Sequence, residues 1–340
     1  MISRDILFPA PNEVVLVDRE VGAPDAHEVL CEARQSLLST GTESFCLAGE
    51  FDAGTFWEEW VQFPFAPGYS MVSTVLEVGP SVTGIAVGDR VATSTPHAQF
   101  FTVDESEVVV VPDDITDEQA VWTSLACTTQ LGVRRAEIGF GDTVGVVGLG
   151  LLGQLVIQYL AIAGAGRIVG IDTSPQRLAL ARASGATDLV AGTAAESRPE
   201  LETLTGGRLL DTVFDITGHP AVLADATTLV RPRGTVLLLG DSPRPSAQHL
   251  GPRVVADSLS IIGVHASSAP ATATLGDPWT LRAMTELFFQ FLRDGRMDVG
   301  PLISHRIRPD DAPAIYRALK TDRSSYLGVI FDWTREKGQR

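Results

Sequence analysis

Short apolar runs, and runs that alternate apolar with polar residues, fill the first third of the chain. Turn signals such as Gly79-Pro80 and Gly88-Asp89 separate these runs. Runs of this length between turns are typical of β-strands. The predicted strands cover residues 14–17, 28–33, 71–78, 90–93, 100–103 and 108–111. Short strands at such close spacing predict a compact, barrel-like domain.

The hydrophobic period changes near residue 116, where strands begin to alternate with helices. The predicted strands cover residues 143–147, 167–172, 211–215, 234–239 and 259–264, and the predicted helices cover residues 117–136, 151–163, 175–184 and 220–230. This alternation predicts a parallel sheet with helices on both faces. The predicted fold class is therefore α/β, with a doubly wound parallel sheet beside the barrel-like domain.

The tail after residue 264 mixes both kinds of element. Its predicted helices cover residues 277–294 and 311–319, and its predicted strands cover residues 305–307 and 326–332. We expect the tail to pack back on the first domain. The predicted division is residues 1–124 for the barrel-like domain, 125–266 for the doubly wound domain and 267–340 for the returning segment.

A glycine motif of the form GxGxxG joins the predicted strand 143–147 to the helix that follows it. In this position Gly148 lets the chain turn tightly, Gly150 lets a pyrophosphate approach the backbone, and Gly153 lets helix and strand pack closely. Leu151 and Leu152 lie at the helix N-terminus, where free N–H groups attract phosphate. The motif predicts a dinucleotide site; the alternative is a glycine-rich buried turn without a ligand.

An acidic residue follows at the expected distance. Asp172 ends the next predicted strand, 22 residues after Gly150, where a carboxylate meets the ribose hydroxyls. It would repel a 2′-phosphate, so NAD is favoured over NADP, although nearby Arg177 weakens that preference. Ligands of a doubly wound sheet lie beyond the carboxyl ends of its strands. Candidates to line the nicotinamide at these ends are Thr217, Gly218, Gly240 and His265, and for His265 an ordinary loop histidine is the alternative.

Composition excludes several classes of partner. The 340 residues include 42 acidic and 26 basic side chains, for a net charge of −16, which argues against binding to nucleic acid or to anionic membranes. Residues 144–166 carry no charge, but their glycines indicate a buried strand and helix rather than a membrane span. Three cysteines without CxxC spacing fit a reducing compartment, so we expect a cytoplasmic protein.

The order of these parts resembles the medium-chain dehydrogenase/reductase superfamily, which includes the zinc alcohol dehydrogenases. Besides the glycine motif, the matching segments are Ser39 to Glu43 (STGTE), Pro67 to Ser70 (PGYS), Val78-Gly79, Val87 to Val91 (VGDRV) and Leu302 to Arg306 (LISHR). STGTE, PGYS and GVRRA (residues 132–136) are most similar to the branch related to bacteriochlorophyllide dehydrogenases. The resemblance implies a GroES-like barrel, a Rossmann domain, a cleft between them and a homodimer.

The sequence departs from its zinc-binding relatives at the metal ligands. Thr40 stands where they carry a cysteine, and Tyr69, in Gly68-Tyr69-Ser70, stands where they carry the histidine of a G-H-E motif. The third ligand would fall near Thr123, and the lobe with four close cysteines is missing. Zinc takes three or four N, S or carboxylate ligands, and of these only Glu43 remains. We therefore expect no metal.

Without zinc, another group must stabilise the charge that develops on a carbonyl oxygen. Tyr69 is the first candidate; the resemblance makes Thr42 a proton-relay hydroxyl and Glu43 an acid behind the ligands, and His97 is placed to pass protons on. For each residue a structural role is the alternative: filling of volume, a turn hydroxyl, an ion pair and packing, respectively. Between these motifs lies an aromatic cluster, in which Phe56, Trp57 and Trp60 are candidates to bind a bulky or planar substrate.

Three functions remain open. The first is a zinc-independent oxidoreductase that moves a hydride between a nicotinamide cofactor and a small-molecule alcohol/carbonyl pair. The second is an ene-reductase of the quinone or enoyl reductase type, because reduction of an activated C=C makes less demand on a Lewis acid. The third is a dinucleotide-binding protein without turnover. Asp172 and the similarity to the bacteriochlorophyllide branch favour the first.

Overall fold

The computed structural model describes residues 1–334. The first part of the chain consists of short strands and small helices. In chain order these are β1 (Ile2–Leu7), β2 (Val15–Glu20), β3 (Glu28–Leu38), α1 (Thr42–Ala48), α2 (Phe56–Trp60), β4 (Met71–Val78), β5 (Arg90–Thr93), β6 (Phe100–Asp104), β7 (Val109–Val110) and α3 (Asp117–Ala120). Strand β3 is central, since it pairs antiparallel with both β4 and β6. It extends five residues beyond its predicted end at residue 33 and so reaches the STGTE segment.

The second part is a doubly wound α/β domain. Its elements are α4 (Thr123–Arg135), β8 (Thr143–Val147), α5 (Leu151–Ala163), β9 (Arg167–Asp172), α6 (Pro175–Ala183), β10 (Asp188–Ala191), α7 (Ala194–Thr205), β11 (Leu210–Asp215), α8 (Val222–Ala226), β12 (Val230–Leu238) and β13 (Ser260–Gly263). All six strands are parallel, in the order β10-β9-β8-β11-β12-β13. The predicted α/β fold class is therefore confirmed.

The tail contains α9 (Leu281–Arg293), β14 (Ile303–Ile307), α10 (Ala312–Thr321) and β15 (Gly328–Asp332). Strand β15 pairs antiparallel with β3, and β14 pairs parallel with β15. The tail thus completes the sheet of the first domain, as expected. Its first helix contacts both domains: the Gln130 amide of α4 donates to the Met284 carbonyl of α9 at 3.1 Å, and Arg282 of α9 donates to the Val108 carbonyl of the first domain at 3.0 Å.

Local chemistry accounts for the elements next to the site. Strand β8 is buried from Val144 to Val147, which explains its uninterrupted apolar sequence. Ser174 caps α6, its hydroxyl accepting from the Arg177 amide, with Pro175 in the first turn. Residues 144–166 form a strand followed by a helix, as predicted. Within residues 1–334, no helix has the length and apolar character needed to cross a membrane.

Candidate active site

A cleft of about 820 Å³ separates the two domains, and residues of both line it. Most of the predicted site residues lie on its walls: Thr42, Phe56, Trp57, Trp60, Tyr69, Gly148, Gly150, Leu151, Leu152, Asp172, Arg177, Thr217, Gly218, Gly240 and His265. Three predicted residues, Glu43, His97 and Gly153, lie behind these walls. Sequence reasoning therefore selected one continuous surface, with a second layer beneath it.

The glycine motif forms a turn that leaves no room for a side chain at Gly148 or Gly153. Gly148 has φ +91°, and a Cβ on Gly153 would lie 2.1 Å from the Gly148 carbonyl oxygen. A Cβ on Gly150 would meet nothing within 4 Å, because this residue faces the open cleft. The first N–H groups of α5, including those of Leu151 and Leu152, have no acceptor one turn earlier in the helix. Backbone donors and open space together suit a pyrophosphate.

The opposite edge of this part of the cleft is equally close-packed. A Cβ on Gly240, just beyond β12, would lie 2.5 Å from the Gly218 amide nitrogen, and Gly218 itself has φ +62°. Thr217 donates through its hydroxyl to Asp215 at 2.7 Å, which fixes the loop after β11. The strand ends expected to line a nicotinamide therefore form a continuous, tightly packed rim.

Asp172 ends β9 and is tied to the glycine turn. One carboxylate oxygen accepts from the Leu149 amide at 2.7 Å, and the other accepts from the Ser174 amide at 2.8 Å. The Arg177 guanidinium is 4.0 Å from the same carboxylate. Each carboxylate oxygen keeps one lone pair, so Asp172 can still accept from the hydroxyls of a ribose.

Arg323, in the loop after α10, also lines the cleft, and it lies in no recognisable sequence motif. The Arg177 guanidinium donates to the Arg323 carbonyl at 3.0 Å. Burial lowers the pKa of Arg323, and the neighbouring Arg177 lowers it further. Within the described chain, the buried Nε of Arg177 has no hydrogen-bond partner. Two cationic side chains thus stand together on the cleft wall, and the carboxylates of Asp172 and Asp322 interact with Arg177.

A cluster of hydroxyl groups lies on the first-domain wall of the cleft. The Tyr69 hydroxyl donates to Ser39 Oγ at 2.6 Å and lies 3.2 Å from Thr42 Oγ1. Burial raises the pKa of Tyr69 to about 12, against the opposing effect of the bonds to Ser39 and Thr42. The phenol is therefore protonated throughout the neutral range. Ser39, which was not among the predicted site residues, belongs to the site because its hydroxyl accepts from Tyr69 and it lines the cleft.

Glu43 and His97 are buried behind this cluster and do not reach the cleft. Glu43 accepts from the Ser39 amide at 2.8 Å, lies 3.1 Å from His97 Nε2, and accepts from the Tyr316 hydroxyl. His97 Nδ1 is 2.8 Å from Ser36 Oγ, so both ring nitrogens face protein groups. The pair holds the loop that carries Ser39 and Thr42. Tyr316, from the tail, was not identified from the sequence.

The donor set of this wall does not fit zinc. Thr40 and Tyr69, which stand at the positions of two metal ligands of the family, carry hydroxyl groups, whereas zinc sites use thiolate, imidazole or carboxylate. Thr123, near the third position, donates its hydroxyl to the Ala120 carbonyl at 2.6 Å. The Glu43 carboxylate already serves three protein donors. Among residues 1–334, no group of three His, Cys, Asp or Glu side chains is arranged to hold a metal ion.

An aromatic wall runs along α2 from the hydroxyl cluster to the second domain. The Trp60 ring lies 6.4 Å from Tyr69 and 5.8 Å from Phe56, with which it stacks. Phe56 in turn lies 5.0 Å from the His265 ring. Trp57 is 95% buried and stacks on Phe51 at 5.9 Å. The three predicted substrate residues therefore bridge the cleft between the domains.

The two parts of the chain match two known families. Residues 39–113 match the family described as the GroES-like domain of alcohol dehydrogenases, and residues 152–277 match the family described as zinc-binding dehydrogenases. Together with the relatives and folds described next, these matches show that the chain belongs to the medium-chain dehydrogenase/reductase superfamily. The resemblance stated from the sequence is confirmed.

Individual relatives agree with this placement. D-guloside 3-dehydrogenase of Escherichia coli K12 is 27% identical over 352 residues, which cover 96% of this chain and all of that protein. An alcohol dehydrogenase of E. coli CFT073 in complex with NADH has a TM-score of 0.81 at 18% identity, with 98% and 99% of the two chains covered. A dehydrogenase of Sinorhizobium meliloti bound to NADP has a TM-score of 0.78 at 19% identity, with the same coverage. At these identities the two structures show the shared fold alone.

Proposed function

We propose that this protein is an NAD-dependent oxidoreductase that interconverts an alcohol and a carbonyl compound without zinc. The observation that carries the proposal is the Tyr69 hydroxyl, which lines the cleft and bonds to Ser39 at the place where zinc-binding relatives hold their metal. The coarser statement, an oxidoreductase of the alcohol dehydrogenase type, follows from family membership. Independence from zinc rests on the donor chemistry of Thr40 and Tyr69.

The residues of the cleft suit the proton half of this reaction. When bound, the nicotinamide supplies or accepts the hydride. A carbonyl that receives a hydride becomes an alkoxide, and Tyr69 Oη is placed to give it a proton. The hydroxyls of Ser39 and Thr42, which accept from protonated Tyr69, can rotate after the transfer and donate to the phenolate left behind. Oxidation of the alcohol runs the same transfer in reverse.

Residues of the second domain suit the dinucleotide. The cradle formed by Gly148, Gly150 and the start of α5 would bind the pyrophosphate. A Cβ atom that filled this cradle would abolish the binding. Asp172 would accept from the ribose hydroxyls and repel a 2′-phosphate. Arg177 and Arg323 act in the opposite sense, because two guanidinium groups attract phosphate. We propose that Asp172 prevails, since its carboxylate is fixed by two amides beside the motif.

Paired titrations of the purified protein with NADH and NADPH, followed by fluorescence, test the cofactor assignment. NADH should bind at least tenfold more tightly, a difference of about 1.4 kcal/mol. Preference for NADPH would show that the two arginines dominate. A protein that binds neither would exclude the oxidoreductase, and a protein that binds NADH but transfers hydride to no substrate would be the dinucleotide-binding protein without turnover.

The lack of a metal-type donor set also favours a second candidate, an ene-reductase. Reduction of an activated C=C places charge on an oxygen that is conjugated and more distant from the hydride acceptor, so it needs less electrophilic assistance. Deuterium transfer from labelled NADH to cyclohexanone and cyclohexenone separates the two. Label on the carbinol carbon supports the alcohol dehydrogenase, whereas label on the β-carbon of the enone supports the ene-reductase.

We also propose a cytoplasmic homodimer. Strand β13 is an edge of the six-stranded sheet, and exposed edges are used by proteins to pair with a second chain. Within the described chain, Cys31, Cys46 and Cys127 are all free and buried, which suits a reducing compartment. Sedimentation at micromolar concentration tests the dimer, and a single monomeric species would refute it.

A further inference from the structure

Two polar side chains at the ends of β12 and β13 line the cleft and take no part in the proposed proton transfer. Asp241 follows Gly240 beyond β12, and His265 follows Val264 beyond β13; both line the cleft. His265 Nδ1 is 2.7 Å from Ser267 Oγ and accepts from the Ser267 amide at 3.3 Å. Within residues 1–334, His265 Nε2 has no hydrogen-bond partner. Since Nδ1 accepts, neutral His265 carries its proton on Nε2 and can donate it to a ligand.

Asp241 is an acceptor near this donor, because β12 and β13, which lead to Asp241 and His265, are adjacent parallel strands. Burial raises the pKa of its carboxyl, while His265, the indole of Trp57 and the Ser242 amide lower it. Despite this proximity, Asp241 and His265 do not form an ion pair within 4.0 Å among the described residues. The buried Nε1 of Trp57 has no partner of hydrogen-bonding geometry either. The space between donor and acceptor is therefore open to groups that can bond to both.

Aromatic faces flank these polar groups. Phe56 lies 5.0 Å from the His265 ring, and its other neighbour, Trp60, continues the wall to Tyr69. Such rings pack well against the C–H face of a saturated ring, whose equatorial hydroxyls point outward to polar side chains. A flat apolar substrate would instead cover the Asp241 carboxylate without offering it a hydrogen-bond donor, which is costly.

Charge limits the ligand further. A carboxylate accepts hydrogen bonds from hydroxyl groups but repels phosphates and carboxylates. The cationic pair Arg177 and Arg323 stands with Asp172, at the end of β9, rather than beside Asp241, at the end of β12. The ligand at this end of the cleft is therefore neutral and rich in hydroxyl groups.

We propose that Asp241 and His265 are specificity-determining residues that select a cyclic polyol or a glycoside, by binding hydroxyls away from the carbon that is oxidised. The inference rests on the proposed alcohol/carbonyl function and deepens it. The expected substrate, bulky or planar from the aromatic wall alone, becomes a saturated, hydroxylated ring that packs on the same wall.

The test compares hydroxylated rings with a plain ring of equal size in the NAD-loaded enzyme. The probes are methyl α-D-glucopyranoside, methyl α-D-galactopyranoside and myo-inositol against cyclohexanol, assayed by steady-state kinetics and by equilibrium binding. At least one hydroxylated ring should have a kcat/KM at least tenfold above that of cyclohexanol. The inference is overturned if cyclohexanol matches or exceeds all three.

Two variants assign the selectivity to the proposed residues. Asp241→Asn removes the charge, and His265→Phe keeps the ring against Phe56 but removes the N–H group. Each should lower kcat/KM for the hydroxylated ring by about 10- to 100-fold, mainly through KM, as expected for loss of a hydrogen bond to a charged group. For Asp241→Asn, the kcat/KM for cyclohexanol and the Kd for NADH should change less than twofold. For His265→Phe, whose ring is also a candidate to line the nicotinamide, the loss for the hydroxylated ring should exceed the loss for cyclohexanol at least tenfold. Glu59→Gln, which removes an exposed acid of α2 outside the cleft, is the matched control.

The outcomes also separate this inference from the proposed function. Equal losses for hydroxylated and plain rings in either variant would refute selection by that residue. Hydride transfer to cyclohexanone without any preference for hydroxylated rings leaves the function intact and removes the inference. If no alcohol or carbonyl compound reacts, the proposed function fails, and binding of the three hydroxylated probes relative to cyclohexanol still decides whether Asp241 and His265 recognise hydroxyl groups.

Discussion

Replacement of Tyr69 by phenylalanine is the most direct test of catalysis without a metal. The change removes one oxygen and keeps the ring, which stays 6.4 Å from Trp60 in the aromatic wall. It also removes the donor to Ser39 Oγ, which lies 2.6 Å from the phenol oxygen. The wall, the glycine cradle and Asp172 are untouched. Loss of turnover in this variant would therefore report on the proton rather than on substrate packing or the cofactor.

The expected size of the effect follows from the role of the group. A positioned general acid contributes about 10²- to 10⁴-fold to the rate. Ser39 and Thr42 remain in the variant and can still donate weaker hydrogen bonds to an alkoxide, so we expect the lower end, about 100-fold or 2.7 kcal/mol. The lost hydrogen bond should cost about 1 kcal/mol of folding stability, which leaves the protein folded.

Single-turnover oxidation of NADH by an excess of carbonyl substrate isolates this step from product release. Burial holds the pKa of Tyr69 at about 12, so the wild-type rate should not fall through loss of this proton between pH 7 and 10. Tyr159→Phe is the matched control, because it removes another buried phenol hydroxyl, 3.4 Å from the Gln130 amide, outside the cleft. A rate for Tyr69→Phe within twofold of wild type, with unchanged NADH affinity, would remove Tyr69 from the mechanism.

Three further predictions concern the second domain. Asp172→Ser should shift the ratio of NADH to NADPH affinity at least tenfold towards NADPH, measured by the same titrations, because the remaining Arg177 and Arg323 attract the extra phosphate; an unchanged ratio would contradict the role of Asp172. Gly153→Ala should lower NADH affinity at least tenfold, since its Cβ would lie 2.1 Å from the Gly148 carbonyl oxygen and force the cradle apart; Gly22→Ala, where a Cβ would meet nothing within 4 Å, is the comparison. Asp211→Asn should lower the free energy of unfolding by about 2 kcal/mol at pH 7, measured by urea unfolding. Burial raises the pKa of Asp211, but hydrogen bonds from the Thr143 amide and Arg231 outweigh burial, so the pKa is lowered overall. The stability from this carboxylate is present above the unfolded pKa of about 3.9 and is lost as pH falls through the lower folded pKa, so the deficit of the variant should shrink only in that acidic range.

The parts of the site that the sequence predicted are those fixed by local chemistry. The glycine motif, the acid after the next strand and the strand ends of the second domain each depend on a few neighbouring residues. Gly148 has a positive φ and Gly153 has no space for a Cβ, so their identities are readable from the chain alone. The same holds for the alternating strands of the first domain, whose period reflects one buried face.

The missed features depend on contacts between distant parts of the chain. Arg323 contacts Arg177, 146 residues earlier in the chain, and Tyr316 contacts Glu43, 273 residues earlier. Neither Arg323 nor Tyr316 lies in a motif.

Strand β10 and helix α7 were missed for a different reason, the lack of a clear hydrophobic period: β10 has four residues, and α7 contains Pro199. Helix α9 was predicted as a helix, but no local signal shows that it packs on α4.

The placement of Glu43 and His97 shows how the hydroxyl cluster can keep its geometry without a metal. In a zinc site, the ion itself holds its ligands in place. Here the Glu43 carboxylate performs an equivalent structural task, since it holds the Ser39 amide at 2.8 Å while His97 and Tyr316 hold the carboxylate. Because Tyr316 lies on α10, the tail helps to fix the loop that carries Ser39 and Thr42. The tail therefore contributes to the site twice, through Tyr316 behind the hydroxyl cluster and through Arg323 on the cleft wall. In the proposed zinc-independent enzyme, a buried hydrogen-bond network that depends on the complete fold would take the place of coordination bonds in ordering the active site.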